Sequence, residues 1–240
     1  MDFLKDSAGV LRFFPWQKER HLVHGFTTRA TGNFRQLHSL GFLSSVLDLD
    51  GMNFSTLKQV HSNRLILKRS EELGGRPEAD GLLTNVPGHV LGIRSADCFA
   101  VLLVDRSASC VAAVHAGWRG TAGKIVSRAV KSMVCEFEAS PERIEALIGP
   151  GIESCCFEVG KDTAAHFSDR FVVHEGKKTH VDLGEANRAQ LLDAGLSQNN
   201  IHSIRRCSYC EKDAFFSYRR EGDLSGRMLA FIGLRPKVQN

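Results

Sequence analysis

Six short apolar runs, at 64–68, 89–93, 100–104, 110–114, 145–148 and 228–234, constrain the fold of this chain more than anything else in it. Each has the length and the aliphatic, β-branched content of a strand, and turn-forming residues bound them. Their spacing is irregular. Gaps of a few residues suit strands that pair directly, whereas longer gaps leave room for helices, so a regular strand–helix alternation is missing. That order predicts an α/β or α+β sandwich built on a mixed sheet, not a doubly wound parallel fold.

Helical patterns lie between the runs. Just after Gly120, Ile125, Val126, Ala129, Val130, Met133, Val134 and Phe137 recur at helical spacing on one face. A second pattern covers about 183 to 194, with Gly195 as its stop. No repeat, low-complexity stretch or Pro/Gly/Ser linker divides the 240 residues, so 1–240 is expected to form one domain. That length, at 42% hydrophobic residues, suffices for a sizeable core.

Composition excludes several partners. No apolar run approaches the roughly 20 residues of a membrane span, so no membrane partner is expected. Asp2, Lys5 and Asp6 interrupt the start before a signal-peptide core could develop, and a cytoplasmic location is expected. The net charge of +4 is mild. Basic pairs occur at Lys177-Lys178, Arg205-Arg206 and Arg219-Arg220, without the dense patch that phosphate backbones require, so no nucleic-acid partner is expected. Seven cysteines in a chain of this length read as thiols or metal ligands, not as a disulfide framework.

Chemistry concentrates in three segments: Lys58-Gln59-Val60-His61-Ser62, Arg94-Ser95-Ala96-Asp97-Cys98 and Val114-His115-Ala116-Gly117-Trp118-Arg119-Gly120-Thr121. Two imidazoles and one thiolate, His61, Cys98 and His115, make a sensible zinc set that leaves a fourth position open, as catalytic zinc sites do. Spacing alone would equally fit three unrelated buried side chains. The third segment adds to the case. An apolar strand ends at His115, and glycines turn the chain into a helix whose first turn presents unpaired N–H groups. Arg119 can add a bidentate fork for phosphate or carboxylate there. Asp97, beside a ligand, is a candidate to orient His61 or His115, and Asp80 reads as a structural turn residue. Gln59 is placed on the face of His61. Cys207-x-x-Cys210 and Cys155-Cys156 read as packing, and either Arg219 or Arg220 as a residue that could reach a substrate.

These three segments, together with Glu78-Ala79-Asp80-Gly81, Ile148-Gly149-Pro150-Gly151-Ile152, Cys155-Cys156-Phe157-Glu158-Val159-Gly160, Cys207-Ser208-Tyr209-Cys210 and Phe215-Phe216-Ser217-Tyr218-Arg219-Arg220, resemble the bacterial laccase-domain family. That family, first labelled polyphenol oxidase, is regarded as zinc-binding purine nucleoside phosphorylase. The match runs in order from about Lys58 to Leu234. The resemblance implies an α+β mixed-sheet sandwich with flanking helices, related to the cysteine hydrolase-like fold. It also implies phosphorolysis of adenosine, inosine and methylthioadenosine, with adenosine deamination beside it, and zinc on His61, Cys98 and His115. The N-terminal part departs from the pattern: His24-Gly25-Phe26-Thr27-Thr28-Arg29 fits the family's opening strand, but Ala30-Thr31-Gly32-Asn33 and His38-Ser39-Leu40-Gly41 are degraded.

Phosphorolysis needs an anion held near the anomeric carbon, a role expected here of Arg94, Arg119, Gly120 and Thr121, with Cys98, His115 and Arg119 at the catalytic centre. Three other functions compete. Cys98 could be the nucleophile of a cysteine hydrolase with His115 as base. Copper on the same ligands could serve a phenol oxidase, although the ten histidines contain no His-x-His pair. A zinc-stabilised interaction module would have little use for an open coordination position.

Overall fold

In the computed structural model, the described residues are 3–36, 41, 44, 45, 49, 51–69 and 75–236. Among the described residues fourteen strands run in chain order: β1 (Phe3–Lys5), β2 (Leu11–Phe13), β3 (Leu22–Phe26), β4 (Asn53–Thr56), β5 (Leu65–Lys68), β6 (Gly81–Thr84), β7 (His89–Ser95), β8 (Phe99–Asp105), β9 (Cys110–Ala116), β10 (Glu145–Ile148), β11 (Val172–Glu175), β12 (Lys178–Val181), β13 (Ile201–Ser203) and β14 (Met228–Leu234). The α-helices are α1 (Phe14–Gln17), α2 (Trp118–Ala122), α3 (Ile125–Phe137), α4 (Lys161–Ala164), α5 (Leu183–Asp193) and α6 (Tyr218–Glu221). All six expected strand regions are strands, and the ones the pattern missed are mostly three or four residues long, too short for a period to register.

Two mixed six-stranded sheets form the frame, in the orders β1-β2-β3-β14-β7-β4 and β13-β10-β8-β9-β6-β5. Alternation along β8 shows how they stack. Ala100, Leu102 and Val104 join a core with Leu91, Ile93, Ala230 and Ile232 of the first sheet. Val101 and Leu103 face the opposite way, into a core with Ile125, Val126, Ala129, Val130 and Met133 of α3 and Leu183 and Leu191 of α5. The second sheet is therefore covered on both faces, which is why β8 and β9 read as unbroken apolar runs. The architecture is α+β, with mixed sheets and few helices.

The helix expected from Gly120 onward is in fact two. Lys124 adopts a left-handed conformation (φ 58°) and breaks α2 from α3. The second expected helix is α5, capped by Asp182, whose carboxylate accepts the Glu185 N–H at 2.8 Å. It stops as read from the sequence, at Gly195 with φ 98°. Of the degraded N-terminal motif, residues 38–40 lie outside the described residues. Among the described residues no helix is long and apolar enough to cross a membrane.

Candidate active site and its ligand set

Three strand ends converge on one spot. The β7–β8 connection is only Ala96-Asp97-Cys98, and it is so tight that Asp97 takes φ 84°. Antiparallel pairing of β8 with β9 places His115 opposite Ala100, so Cys98 falls beside the imidazole. His61 enters from the loop before β5, also at positive φ (58°). Two non-glycine residues held in the left-handed region at one site are an expense the surrounding fold must offset, as is common where function sets the geometry. Donor atoms of His61, Cys98 and His115 lie within 4.8 Å of one another, and the two imidazole rings meet edge to face at 5.0 Å. Gly117 makes this approach feasible. A Cβ there would lie 2.8 Å from the Cys98 sulfur and 3.3 Å from the His61 ring.

Behind the ligands stands Asp80, at the entrance to β6 and fully buried. Its carboxylate lies 2.9 Å from His115 Nδ1, and the backbone N–H groups of Val60, His61 and Ser62, with the Ser62 hydroxyl, donate to it at 2.6–3.3 Å. One carboxylate thus fixes the His115 tautomer, leaving the other ring nitrogen for the Cys98 side, and also shapes the turn that carries His61. Burial opposes its charge, yet hydrogen bonds from His115 and Ser62 prevail and hold the acid at about 2. Burial likewise opposes ionisation of Cys98, but the adjacent His115 and His61 outweigh it and bring the thiol to about 6. For His115, burial disfavours the cation, but Cys98 and Asp80 raise it to about 9. The donor set, a ready thiolate and two imidazoles with one side free, fits a divalent ion of borderline softness.

Asp97 does not orient either histidine. Its oxygens accept the Ser208 hydroxyl at 2.7 Å and the Arg219 N–H at 2.6 Å, pinning the chain near α6 to the β7–β8 turn. The orienting role considered for Asp97 belongs to Asp80, which the sequence placed in a structural turn. Gln59 is not on a strand face with His61 either. Its side-chain amide clasps the backbone of Arg94 in both directions, at 2.7 and 2.9 Å.

A cavity of about 800 Å³ opens over the ligands. Arg35, Lys58, Arg76, Arg94, Arg219 and Arg227 line it together with Ile152, Phe157 and Tyr218. Arg94 Nε is buried and has no hydrogen-bond partner among the described residues. Arg119, Gly120 and Thr121 are not part of the lining. Arg119 is exposed and stacks on Trp118 at 4.3 Å, Gly120 packs against the carbonyls of Ser62 and His115, and the buried Thr121 hydroxyl exchanges hydrogen bonds with Asn187. The turn expected to cradle an anion is thus the short helix α2, packed against the sheet, and the cations that face the cavity come from other segments. Of the basic pair, Arg219 lines the cavity, while Arg220 turns inward to donate to the carbonyls of Ser208, Tyr209 and Phe215. Sequence reasoning missed Arg35, Lys58, Arg76 and Arg227 as cavity residues, because no local motif marks side chains that converge from four separate loops and strand ends.

A purine nucleoside phosphorylase of Deinococcus radiodurans is 42% identical over 196 residues, covering 80% of this chain and 74% of that one. An enzyme from an unknown prokaryotic organism, named adenosine deaminase RL5, is 39% identical over 207 residues, 80% of this chain and 77% of its own. The crystal structure of YlmD from Geobacillus stearothermophilus superposes with a TM-score of 0.89 at 30% identity, covering 98% of this chain and 99% of YlmD. Residues 24–235 match the family model described as multi-copper polyphenol oxidoreductase laccase, and the chain belongs to that family.

Proposed function

We propose that this chain is a zinc-dependent purine nucleoside phosphorylase of the cytoplasm, acting as a single domain on adenosine, inosine and methylthioadenosine, with adenosine deamination as a companion reaction at the same site. One observation carries the proposal: an open His61/Cys98/His115 set lies at the base of a cavity ringed by guanidinium groups and bordered by two aromatic rings. The names of the relatives, phosphorylase and deaminase, support the substrate class.

In phosphorolysis a phosphate oxygen bonds to the anomeric carbon as the glycosidic bond breaks, and the purine departs with the electron pair and takes up a proton. The transition state has oxocarbenium character, as in glycoside hydrolysis. Arg94 takes the phosphate in this reading, supported by Arg219 and Arg227, which line the same cavity, and its buried, unpartnered Nε supports the assignment. Phe157 and Tyr218 supply aromatic faces for the base, and Ile152 keeps water from that side. Asp80 positions His115 without touching substrate. When bound, zinc supplies Lewis acidity at the cavity floor, with copper the alternative ion for the same donors. Multicopper oxidation needs several histidine-rich centres, and among the described residues His61/Cys98/His115 is the only histidine-containing group that could hold a metal.

Incubation of the purified protein with inosine decides the matter. Hypoxanthine and ribose 1-phosphate are expected only when phosphate is present, and adenosine without phosphate should yield inosine and ammonia. Absence of free base under every condition rejects phosphorolysis. A second reading is favoured by the chain Asp80–His115–Cys98, which also resembles an acid–base–nucleophile relay. Full activity in protein stripped of metal would select that cysteine-nucleophile hydrolase.

A further inference from the structure

The pairs Cys155-Cys156 and Cys207-x-x-Cys210 are remote from each other in sequence but meet in space, with all four sulfurs within 4.8 Å of one another. The sulfur–sulfur distances are 3.7 Å for Cys155–Cys156, 3.8 Å for Cys155–Cys210 and 3.3 Å for Cys156–Cys210. A disulfide bond requires about 2.05 Å. Four thiolates at about 2.3 Å around a tetrahedral zinc ion have edges of roughly 3.75 Å, which two of these pairs match and the third approaches.

The two turns carrying the thiols are held for this purpose by backbone. Cys156 and Phe157 both donate N–H to the Glu153 carbonyl, at 2.9 and 3.0 Å, so the adjacent cysteines sit on one tight turn. Cys207 pairs with Gly151 in an isolated bridge, and Ser208 N–H donates to the Gly151 carbonyl at 2.8 Å, which docks the second turn against the first. Backbone N–H groups of Tyr209 and Cys210, two and three residues on, point at the Cys207 sulfur, joined by that of Glu153. The same turn carries Cys210 back toward Cys155 and Cys156. Arg220 braces it by donating to the carbonyls of Ser208 and Tyr209 at 2.8 and 2.7 Å.

We infer that Cys155, Cys156, Cys207 and Cys210 form a closed tetrathiolate site for structural zinc, separate from the open His61/Cys98/His115 set. Binding displaces four thiol protons, with no change of oxidation state. Packing alone explains the cluster poorly, since Cys155 and Cys210 are exposed and Cys156 is only half-buried. The site clamps the turn leading into Phe157 to the segment that leads into Tyr218 and Arg219, so its ion fixes one wall of the active cavity.

Native mass spectrometry and X-ray absorption on protein purified with reductant test this. Wild type should hold about two zinc ions per chain, and a His61→Ala/Cys98→Ala variant should keep about one, with a shell of four sulfurs near 2.3 Å. Cys207→Ser/Cys210→Ser should keep the other ion, with mixed nitrogen and sulfur ligands. If the His61→Ala/Cys98→Ala variant carries no zinc, or if its ion shows nitrogen or oxygen neighbours, the tetrathiolate site is overturned. Iron in place of zinc, or a disulfide detected as the loss of two hydrogens, overturns it equally. Should the double-serine variant fail to fold, the sulfur shell of the His61→Ala/Cys98→Ala protein still decides. Failure here, with one zinc retained on His61, Cys98 and His115, leaves the phosphorylase proposal intact.

Discussion

The molecule assembles two sulfur-bearing centres by opposite means. His61, Cys98 and His115 come from the loop before β5, the β7–β8 turn and β9, on a sheet whose both faces are covered, and a buried carboxylate, Asp80, stands behind them. Cys155, Cys156, Cys207 and Cys210 come from two turns that touch edge to edge, with two of the sulfurs exposed. In the first centre the scaffold is rigid and the ligands are too few to close around an ion. In the second the scaffold is slight and the ligands suffice to close it. A vacant coordination position thus demands more from the fold than a closed one, because rigidity must come from the sheets instead of from the ion.

The sharpest break of this comparison is Cys98→Ala. Loss of the thiolate should remove the ion from the open centre and reduce phosphorolysis by about three orders of magnitude or more, on the scale expected for loss of metal-ion catalysis. Metal analysis should still find the tetrathiolate ion. Loss of both ions from this variant would mean that the centres are not independent.

Next in size is Asp80→Asn. An asparagine keeps the shape but not the charge that orients His115, so zinc affinity of the open centre or activity should fall about 10–100-fold. A chelator competition measures this, and the tetrathiolate centre should retain its ion. The cavity cations give a comparable contrast. Arg94→Ala should raise the KM for phosphate about 10-fold or more, the scale of one lost charged hydrogen bond. Arg119→Ala should leave that KM unchanged. Equal effects of the two would return the phosphate role to α2.

Smaller again is Cys207→Ser/Cys210→Ser, which loosens the Phe157 and Tyr218 wall without touching the open ligands. A Tm lower by several degrees and a KM for nucleoside raised a few-fold, with kcat less affected, are expected. A fall in kcat with unchanged KM would contradict a wall-fixing role.

The mildest test separates both centres from acid denaturation. His24, buried on β3, accepts the Phe13 N–H at 3.0 Å. Burial, then the charge of Arg12, lowers its pKa from 6.5 to about 3. The unfolded chain therefore takes up a proton below pH 6.5 that the folded chain refuses until about pH 3. Stability from the neutral ring is present above pH 6.5 and declines as pH falls through that window, by about 1.4 kcal/mol per unit at most. Denaturant midpoints of wild type and His24→Gln between pH 7 and 4 should diverge accordingly. Metal release that follows the same curve in both proteins would belong to ligand protonation alone.

Much of the site was legible locally. His115 lies at the end of an apolar strand, one residue before its last, Cys98 closes a tight turn after another, and the amphipathic face of α3 is written at helical spacing. What misled was proximity across strands. Asp80 occupies a Gly-flanked turn that looks structural, and only the pairing of β6 with β9 brings it to His115. Cys155-Cys156 and Cys207-x-x-Cys210 each read as packing, and their partnership depends on the docking of Gly151 beside Cys207. Arg119 follows a promising glycine turn, yet the break at Lys124 leaves α2 one turn long and its arginine outside the cavity.

By itself the sequence determined the long central strands, the amphipathic face of α3, the span of α5 and which side chains carry ligand chemistry, since these follow from periodicity, turn residues and donor type along a few adjacent positions. Tertiary structure alone decided which carboxylate serves which histidine, which cations face the cavity and that four dispersed thiols share one place. Those are matters of register and sheet stacking, set by burying both faces of β8 and β9 at once, and no local stretch of chain encodes them.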